Sequence, residues 1–428
     1  MSVGLTDVDS DALWMSLKTQ VFVCAAGVQF YPRHDRGERW WVLEAPDSAE
    51  FYRLDNTSYQ LLQRLDGVRS IEQLWLQIET GESDSGEGDR QALCVLLVQL
   101  LKLGILQSTQ QGPDALAFEH RGTSARRLFN PVGFQLLSFN PTFLLQPLRG
   151  CAPIIFNNVC LLVWLGLMVL GVGLLVEHYT AVSLYLAARA DDPLYLLWFW
   201  GLYPLVKLVH EIAHGLAVLR WGGEVRKAGI LMLVLMPIPF VDASASSRFS
   251  AKSQRIAVAA AGVMAELALA VLGLVLWCYS ETPLLREAGL IVALIGSFST
   301  LLFNANPLLR FDGYYVLSDW LEIPNLATRS QAYIKYWFGY WVLGLRAQQA
   351  SRCLPTEHKW LAVYGVLAFG YRLFILLTIA LLVSSYLLWL GLLIAGWTVL
   401  LQVVVPAWKV LHDYYRAAAS ETRLRRYC

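Results

Sequence analysis

Charged residues are scarce in this chain. Asp, Glu, Lys and Arg make up 16% of its 428 residues, and the formal net charge is +1. A balance so close to zero gives no overall attraction to nucleic acid, which we therefore do not expect as a partner. Hydrophobic residues reach 56%, and the mean hydropathy is +0.46. A soluble protein of this length is less apolar, so the composition predicts an integral membrane protein.

Paired cysteines are also missing. The seven cysteines are odd in number, scattered and without a C-x-x-C pair. This pattern argues against a disulfide framework and against a cysteine zinc site, and it predicts reduced, buried thiols. The first ten residues lack the basic-then-apolar order of a signal peptide, so we expect the chain to begin in the cytosol. The cysteines are Cys24, Cys94, Cys151, Cys160, Cys278, Cys353 and Cys428.

Six long apolar runs predict transmembrane helices. Lys and Arg are concentrated before the first run, between the second and third, after the fourth and in the tail, whereas the opposite loops hold only Arg189 and Arg286. Because basic residues favour cytoplasmic flanks, both termini are expected in the cytosol. The predicted spans are Ile154–Val176, Leu194–Leu219, Ile256–Cys278, Ala288–Leu309, Leu361–Val383 and Leu387–Trp408.

The second predicted span contains the motif H-E-x-x-H, formed by His210, Glu211 and His214. On a helix the two histidines share one face and can bind one zinc ion, and the glutamate can take a proton from water. Two imidazoles and a carboxylate inside a span are costly without a task, which weighs against a packing role. With cytoplasmic termini, His210 lies roughly 24 Å along the span, in its inner half.

A third ligand is predicted from the end of the fourth span. Asp312 precedes Gly313 there and reaches about the same depth as the histidines, although an aspartate before a glycine can also be a simple turn residue. Catalytic zinc usually takes three protein ligands and keeps one position for water. The sequence therefore predicts that His210, His214 and Asp312 bind Zn²⁺.

These two motifs together carry a family resemblance. H-E-I-A-H at 210–214, followed by Asn304-x-x-Pro307-x-x-x-x-Asp312-Gly313, resembles the paired signature of the site-2 protease family of intramembrane zinc metalloproteases. The resemblance covers residues 194–315. It implies that two histidines and the aspartate bind zinc, that Glu211 is the general base and acid, and that Asn304 holds the substrate or the oxyanion.

Three further polar residues are candidates for substrate binding. Asn306 is a second amide in the same motif. Glu266 lies in the third predicted span and is as well suited to a structural as to a functional role. Asp242 follows the apolar segment between the second and third spans, where a turn is the favoured interpretation.

The segment 221–242 is apolar but too short to span, and it contains Pro237 and Pro239. We interpret it as a re-entrant strand or hairpin that could receive a peptide by strand addition, with a buried helix as the alternative. Site-2 proteases resemble this chain in having a membrane-embedded hairpin in the same interval.

The first 110 residues form a different domain. Residues 39–43 and 51–54 are predicted strands, and 56–65, 71–78 and 91–103 are predicted helices, with Ser70 as a cap. This order predicts a small cytoplasmic winged-helix-like α+β module. Its pattern is similar to PqqD-like domains, and this resemblance implies that the module binds peptides, by strand addition in our interpretation. Basic and acidic residues balance in it, which disfavours DNA binding.

The predicted organisation is an α-helical polytopic membrane protein with a site-2-protease core. We divide it into the peptide-binding module at 1–110, a linker and membrane-surface segment at 111–150, the transmembrane metalloprotease domain at 151–412 and a basic cytoplasmic tail at 413–428. A module fused to such a core resembles the peptide zinc metalloproteases of bacteria. That group implies the bacterial inner membrane and partners in peptide export, namely an HlyD-type adaptor and an ABC transporter.

Three functions remain open from the sequence. The first is an intramembrane zinc protease that cleaves an exported or membrane-embedded peptide. The second is a non-proteolytic export component in which zinc braces the helices. The third is a regulatory protease that releases a membrane-tethered transcription factor or anti-sigma protein, although no PDZ-like insertion lies between the spans.

Overall fold

The computed structural model describes residues 10–44, 51–79, 94, 96–101, 105–109, 133–189, 192–233, 236–343, 356–409 and 412. The chain divides into two compact units, Met1–Ala261 and Gly262–Cys428. The described residues are mostly helical, with a small strand-containing region near the N-terminus.

The N-terminal module is built on an antiparallel sheet. Strands β2 (Gln29–Asp35), β3 (Glu38–Glu44) and β4 (Phe51–Leu54) lie in the order β2-β3-β4, and β1 (Phe22–Cys24) pairs with β5 (Leu106–Ser108). The β2–β3 turn consists of Arg36 and Gly37, both with positive φ, as a two-residue hairpin requires. The strands predicted at 39–43 and 51–54 are confirmed.

Helices α1 (Ser10–Leu17), α2 (Asn56–Gln63) and α3 (Ile71–Glu79) pack on these strands. Before α3, the Ser70 hydroxyl accepts from the Gln73 N–H and the Gln73 side chain accepts from the Ser70 N–H, which is a reciprocal cap. The predicted helices at 56–65 and 71–78 and the Ser70 cap are confirmed. Of the helix predicted at 91–103, residues 94 and 96–101 are helical, and the remainder lie outside the described residues.

The cysteines agree only partly with their prediction. The five that the structure describes are all free, and burial raises the pKa of the Cys94 and Cys24 thiols. Cys94 is buried, but Cys151 is exposed, so the prediction that all the thiols are buried is wrong there.

Within the described residues, six helices are long and apolar enough to cross a membrane. They confirm the predicted number of candidate spans. The fourth runs over Pro283–Asn304 rather than 288–309. Its end is earlier because Pro307 has no N–H to continue a helix, and the Asn306 side chain accepts from the Leu308 N–H in a turn. The six are Asn158–Glu177, Leu197–Arg220, Lys252–Tyr279, Pro283–Asn304, His358–Tyr386 and Leu388–Lys409.

The remaining helices follow in chain order. In the first unit they are α4 (Thr142–Leu145), the 3₁₀ turn Gln146–Cys151, α5 (Ala152–Ile155), α6 (Asn158–Glu177), α7 (Tyr179–Ala187), α8 (Pro193–Arg220) and the 3₁₀ turn Ser244–Arg248. Helix α9 (Lys252–Tyr279) begins in the first unit and continues into the second. The second unit adds α10 (Pro283–Leu294), the π-helical stretch Ile295–Asn304, α11 (Asp312–Leu321), α12 (Leu326–Leu343), α13 (His358–Tyr386), α14 (Leu388–Val399) and the π turn Leu400–Val404.

A second sheet lies in the first unit. Strands β7 (Ala228–Leu233) and β8 (Met236–Val241) form the antiparallel hairpin that the sequence predicted. Strand β6 (Gly133–Phe139) pairs with β7, so the order is β6-β7-β8. Because β6 comes from a segment expected to be a linker, this third strand was not predicted. Helix α8 packs against β8, where Gly215 allows Leu145 and Val241 to approach closely.

In the second unit, two glycines allow a close contact between helices. A Cβ on Gly273 would lie 2.5 Å from the Gly289 carbonyl oxygen, and one on Gly289 would lie 2.7 Å from the Gly273 carbonyl oxygen. Helices α9 and α10 therefore meet backbone to backbone at this point.

Candidate metal centre

His210 and His214 lie one turn apart on α8, as the motif predicts. Both are buried, with relative exposures of 4% and 6%. Their Nε2 atoms are 3.0 Å apart. Two nitrogens that each bind one tetrahedral zinc at about 2.0–2.1 Å would be separated by roughly 3.3 Å, so the pair has nearly the spacing that the ion requires.

The His214 ring is oriented from behind by the backbone. Its Nδ1 lies 2.8 Å from the Val258 carbonyl oxygen in the first turns of α9. A carbonyl only accepts, so Nδ1 carries a proton, and in the neutral ring Nε2 then has the lone pair. This is the tautomer that a metal ligand needs, and an N–H···O=C contact of this kind is the usual support of a metal-binding histidine.

Asp312 begins α11 in the second unit, and the loop 305–311 leads into it. A Cβ on Gly313 would lie 2.2 Å from the Ala305 carbonyl oxygen, so the loop folds back onto the start of the helix. Only glycine permits this approach without a backbone shift. Ala305 follows Asn304, and Gly313 follows Asp312. The contact between Ala305 and Gly313 therefore holds Asn304 and Asp312 in one compact loop.

His210 and His214 offer two imidazole nitrogens from the first unit, and Asp312 in the second unit stays the predicted third ligand. Two imidazole nitrogens and one carboxylate oxygen form a donor set that suits zinc. The residues present therefore fit the metal that the motif predicts.

Glu211 is half-buried and contacts the hairpin. Its Oε2 accepts from the Val241 N–H at 2.8 Å. In the β7–β8 hairpin, Leu233 lies opposite Met236 next to the turn, and hydrogen-bonded pairs alternate from there with non-hydrogen-bonded pairs. The backbone N and C=O groups of Pro237, Pro239 and Val241 therefore point away from β7. Two of these positions have no N–H, and the third donates to Glu211. The carboxylate is thus placed by the one donor on the outer edge of β8 between Pro237 and Val241.

Asn304 ends the π-helical stretch, and its amide is bonded to Glu266. The Asn304 Nδ2 donates to Glu266 Oε2 at 3.1 Å, and the Thr300 hydroxyl donates to the same oxygen. Glu266 is 0% exposed. Sequence reasoning named Asn304 and Glu266 separately, but it missed Thr300 and the contact that joins all three.

The other two substrate-binding candidates make local contacts. Asp242 Oδ1 accepts from the Ser244 N–H at 3.0 Å, in the turn that the sequence favoured. Asn306 Oδ1 accepts from the Leu308 N–H at 2.9 Å. Their roles in binding a substrate stay predictions.

A cluster of charged side chains joins the N-terminal module to the segments around the hairpin. We call Asp35, Glu44, Arg226, Arg248 and Arg255 the charged junction. Glu44 meets Arg226 at 2.9 Å and Arg248 at 3.3 Å, and Asp35 meets Arg255 at 3.5 Å. Both carboxylates are almost fully buried. Sequence reasoning missed this cluster because its partners are about two hundred residues apart.

No protein-family model matches the chain, and no curated protein or solved structure matches it significantly. The case for a function therefore depends on the residues of the site.

Proposed function

We propose that this chain is a membrane-embedded zinc metallopeptidase that hydrolyses peptide bonds of a membrane or exported peptide. The observation that carries the proposal is the pair of buried imidazoles one turn apart on α8, with Nε2 atoms 3.0 Å apart and Glu211 beside them; Asp312 is the proposed third ligand. Such groups are costly inside an apolar span, and a ligand role accounts for them. Six apolar helices support the membrane setting, and the bacterial inner membrane with cytoplasmic termini is part of the proposal.

The residues divide the chemistry among them. A bound zinc ion would supply Lewis acidity to the attacking water and to the scissile carbonyl. Glu211 takes the proton of that water and delivers it to the leaving amine. Asn304 donates an amide hydrogen to the peptide oxygen as negative charge develops on it.

The hairpin limits how a substrate strand can be added. Strand β7 is paired on both sides, by β6 and by β8, so it has no open edge. Strand addition is therefore confined to the outer edges of β6 and β8. Of these, β8 contacts the helix that carries His210 and His214.

The test measures zinc content and peptide cleavage together on purified wild type, Glu211→Gln and His210→Ala/His214→Ala. We expect stoichiometric zinc in wild type and in Glu211→Gln, cleavage only in wild type, and neither property in the double variant. Val209→Ala, with an exposed side chain on the same helix, is the matched control. Absence of zinc from wild type would overturn the proposal.

A second candidate rests on the 3.0 Å contact between the two imidazoles. A His–His hydrogen bond, or zinc held there, could brace the helix without a reaction, as in a non-proteolytic component of an export complex with an adaptor and an ABC transporter. Equal zinc in wild type and Glu211→Gln, with no product from either, would favour this candidate.

A further inference from the structure

Glu266 is buried in a candidate membrane span, where a carboxyl group needs partners. It lies midway along α9 and is 0% exposed. Gly296 of the π-helical stretch approaches it closely, because a Cβ there would lie 2.4 Å from the Glu266 carbonyl oxygen. The π-helical stretch and α9 are therefore in backbone contact at this residue.

The π-helical stretch presents two donors to one carboxyl oxygen. Thr300 and Asn304 are four residues apart, and both donate to Glu266 Oε2. The Ala305 N–H bonds the Thr300 carbonyl at 2.7 Å, five residues back, which is the π pattern. Stretches of π-helix occur frequently at functional sites because they redirect side chains.

The contact also determines which way the Asn304 amide points. An acceptor oxygen on Glu266 requires the NH₂ end of the amide to face it, so the Asn304 carbonyl oxygen points away. One amide hydrogen is used in this bond. The second hydrogen and the carbonyl oxygen have directions set by the first bond.

Asn304 is in turn close to a metal ligand within its own unit. The Ala305–Gly313 contact links the residue after Asn304 to the residue after Asp312. A group that orients Asn304 therefore orients it relative to Asp312.

We propose that Glu266 is a positioning residue that holds the Asn304 amide in its working orientation, rather than a residue that contacts substrate. This inference rests on the proposed peptidase function. It predicts that the Glu266 side chain matters to cleavage only through Asn304, and that an acceptor of the same shape can replace it.

The experiment compares Glu266→Leu, Glu266→Gln, Asn304→Ala and the double variant Glu266→Leu/Asn304→Ala in the full-length protein. We expect Asn304→Ala to lower kcat about 10²-fold, as removal of one oxyanion donor does. Glu266→Leu should lower it at least about tenfold. The double variant should be no slower than Asn304→Ala, because the two residues act as a unit. Glu266→Gln should restore most of the rate, since its amide oxygen can accept both donors.

Zinc content and thermal unfolding are measured on the same samples. Zinc should stay stoichiometric in all four variants, and their effects on Tm should also be non-additive, which tests the contact without any activity. Leu272→Ala, exposed on the same helix, is the control. Multiplied losses of kcat in the double variant, or loss of zinc in Glu266→Leu, would overturn the proposal. An inactive wild type with coupled Tm values would instead count against the peptidase function alone.

Discussion

Asp35 and Glu44 in the charged junction are buried against arginines, whereas Glu266 is buried against a hydroxyl and an amide. Charged partners hold a buried carboxylate strongly, and Glu44 and Asp35 each have more than one arginine partner. Neutral donors bind a carboxylate through directional hydrogen bonds, and the carboxylate in turn orients the donor groups. We infer that the charged junction mainly serves stability and the Glu266 cluster mainly serves the site.

The strongest way to break this comparison is to remove a proposed ligand. His214→Ala should abolish zinc binding and lower peptide cleavage at least about 10³-fold, because metal-assisted hydrolysis depends on the ion. Zinc analysis and a cleavage assay measure both losses. If the site region serves activity rather than stability, Tm should fall by only a few degrees. Loss of the folded state in His214→Ala would contradict this assignment of roles to the two regions.

Gly313→Ala tests the same region through its backbone. The new Cβ would lie 2.2 Å from the Ala305 carbonyl oxygen, so the loop must move and shift Asp312. We expect zinc affinity to fall about 10–100-fold, as it does when the support of a ligand is lost. Gly370→Ala is the matched control, since a Cβ there has nothing within 4 Å. Equal zinc affinities in the two variants would show that the loop contact does not orient Asp312.

Arg255→Met should affect stability rather than the site. Arg255 is 2% exposed, faces Asp35 and donates to the Phe249 and Ser250 carbonyl oxygens. Asp35 keeps Arg33 at 2.8 Å and Arg53 at 3.5 Å, so the main loss is that of the two bonds to carbonyl oxygens, which should cost about 1–3 kcal/mol of unfolding free energy. Denaturation against Lys252→Met, an exposed position on the same helix, measures the cost. The amount of zinc bound per folded protein should not change. A lower amount would show that the charged junction also supports the metal site.

Asp66→Asn should have the smallest effect. Asp66 is exposed and accepts from the Arg69 and Val68 N–H groups, and these bonds hold the pKa of its carboxyl well below the ordinary value. A depressed folded-state pKa contributes stability above the ordinary pKa of about 4, and that contribution is lost as pH falls below it. The substitution should lower Tm by about 1 °C at neutral pH. Melting curves from pH 6 to pH 3 should show a smaller acid-induced loss in the variant than in wild type.

Local patterns in the sequence predicted a large part of the fold. Hydropathy located six candidate spans because each run is long and predominantly apolar. The β7–β8 hairpin followed from a short apolar run with prolines, and the Ser70 cap from neighbouring residues. Each of these features depends on contacts within a few residues.

Features that depend on distant contacts could not be predicted in this way. Strand β6 joins β7 from about ninety residues earlier in the chain. Glu44 was counted only as one balancing charge of the module, since nothing near it indicates Arg226 or Arg248. The π-helical stretch has an ordinary apolar composition, so no pattern in it indicates that Thr300 and Asn304 both donate to Glu266.

The candidate site also has parts that the sequence could predict and parts that it could not. The proposed ligands His210, His214 and Asp312 come from two motifs, whereas the support of His214 is a backbone carbonyl, which has no sequence signature. Val258 could not be identified because any residue offers that oxygen.

The outer edge of β8 has a consequence for the kind of peptide it can hold. Between Pro237 and Val241 its outward backbone groups are three carbonyl oxygens and a single N–H, which Glu211 already binds. This edge can accept hydrogen bonds, but between Pro237 and Val241 it has no further N–H group to donate. Under the proposed function, a peptide lying along this edge would contribute N–H groups, and its own carbonyls would be satisfied elsewhere. A proline at any donating position of that peptide would remove a contact that no side chain can replace.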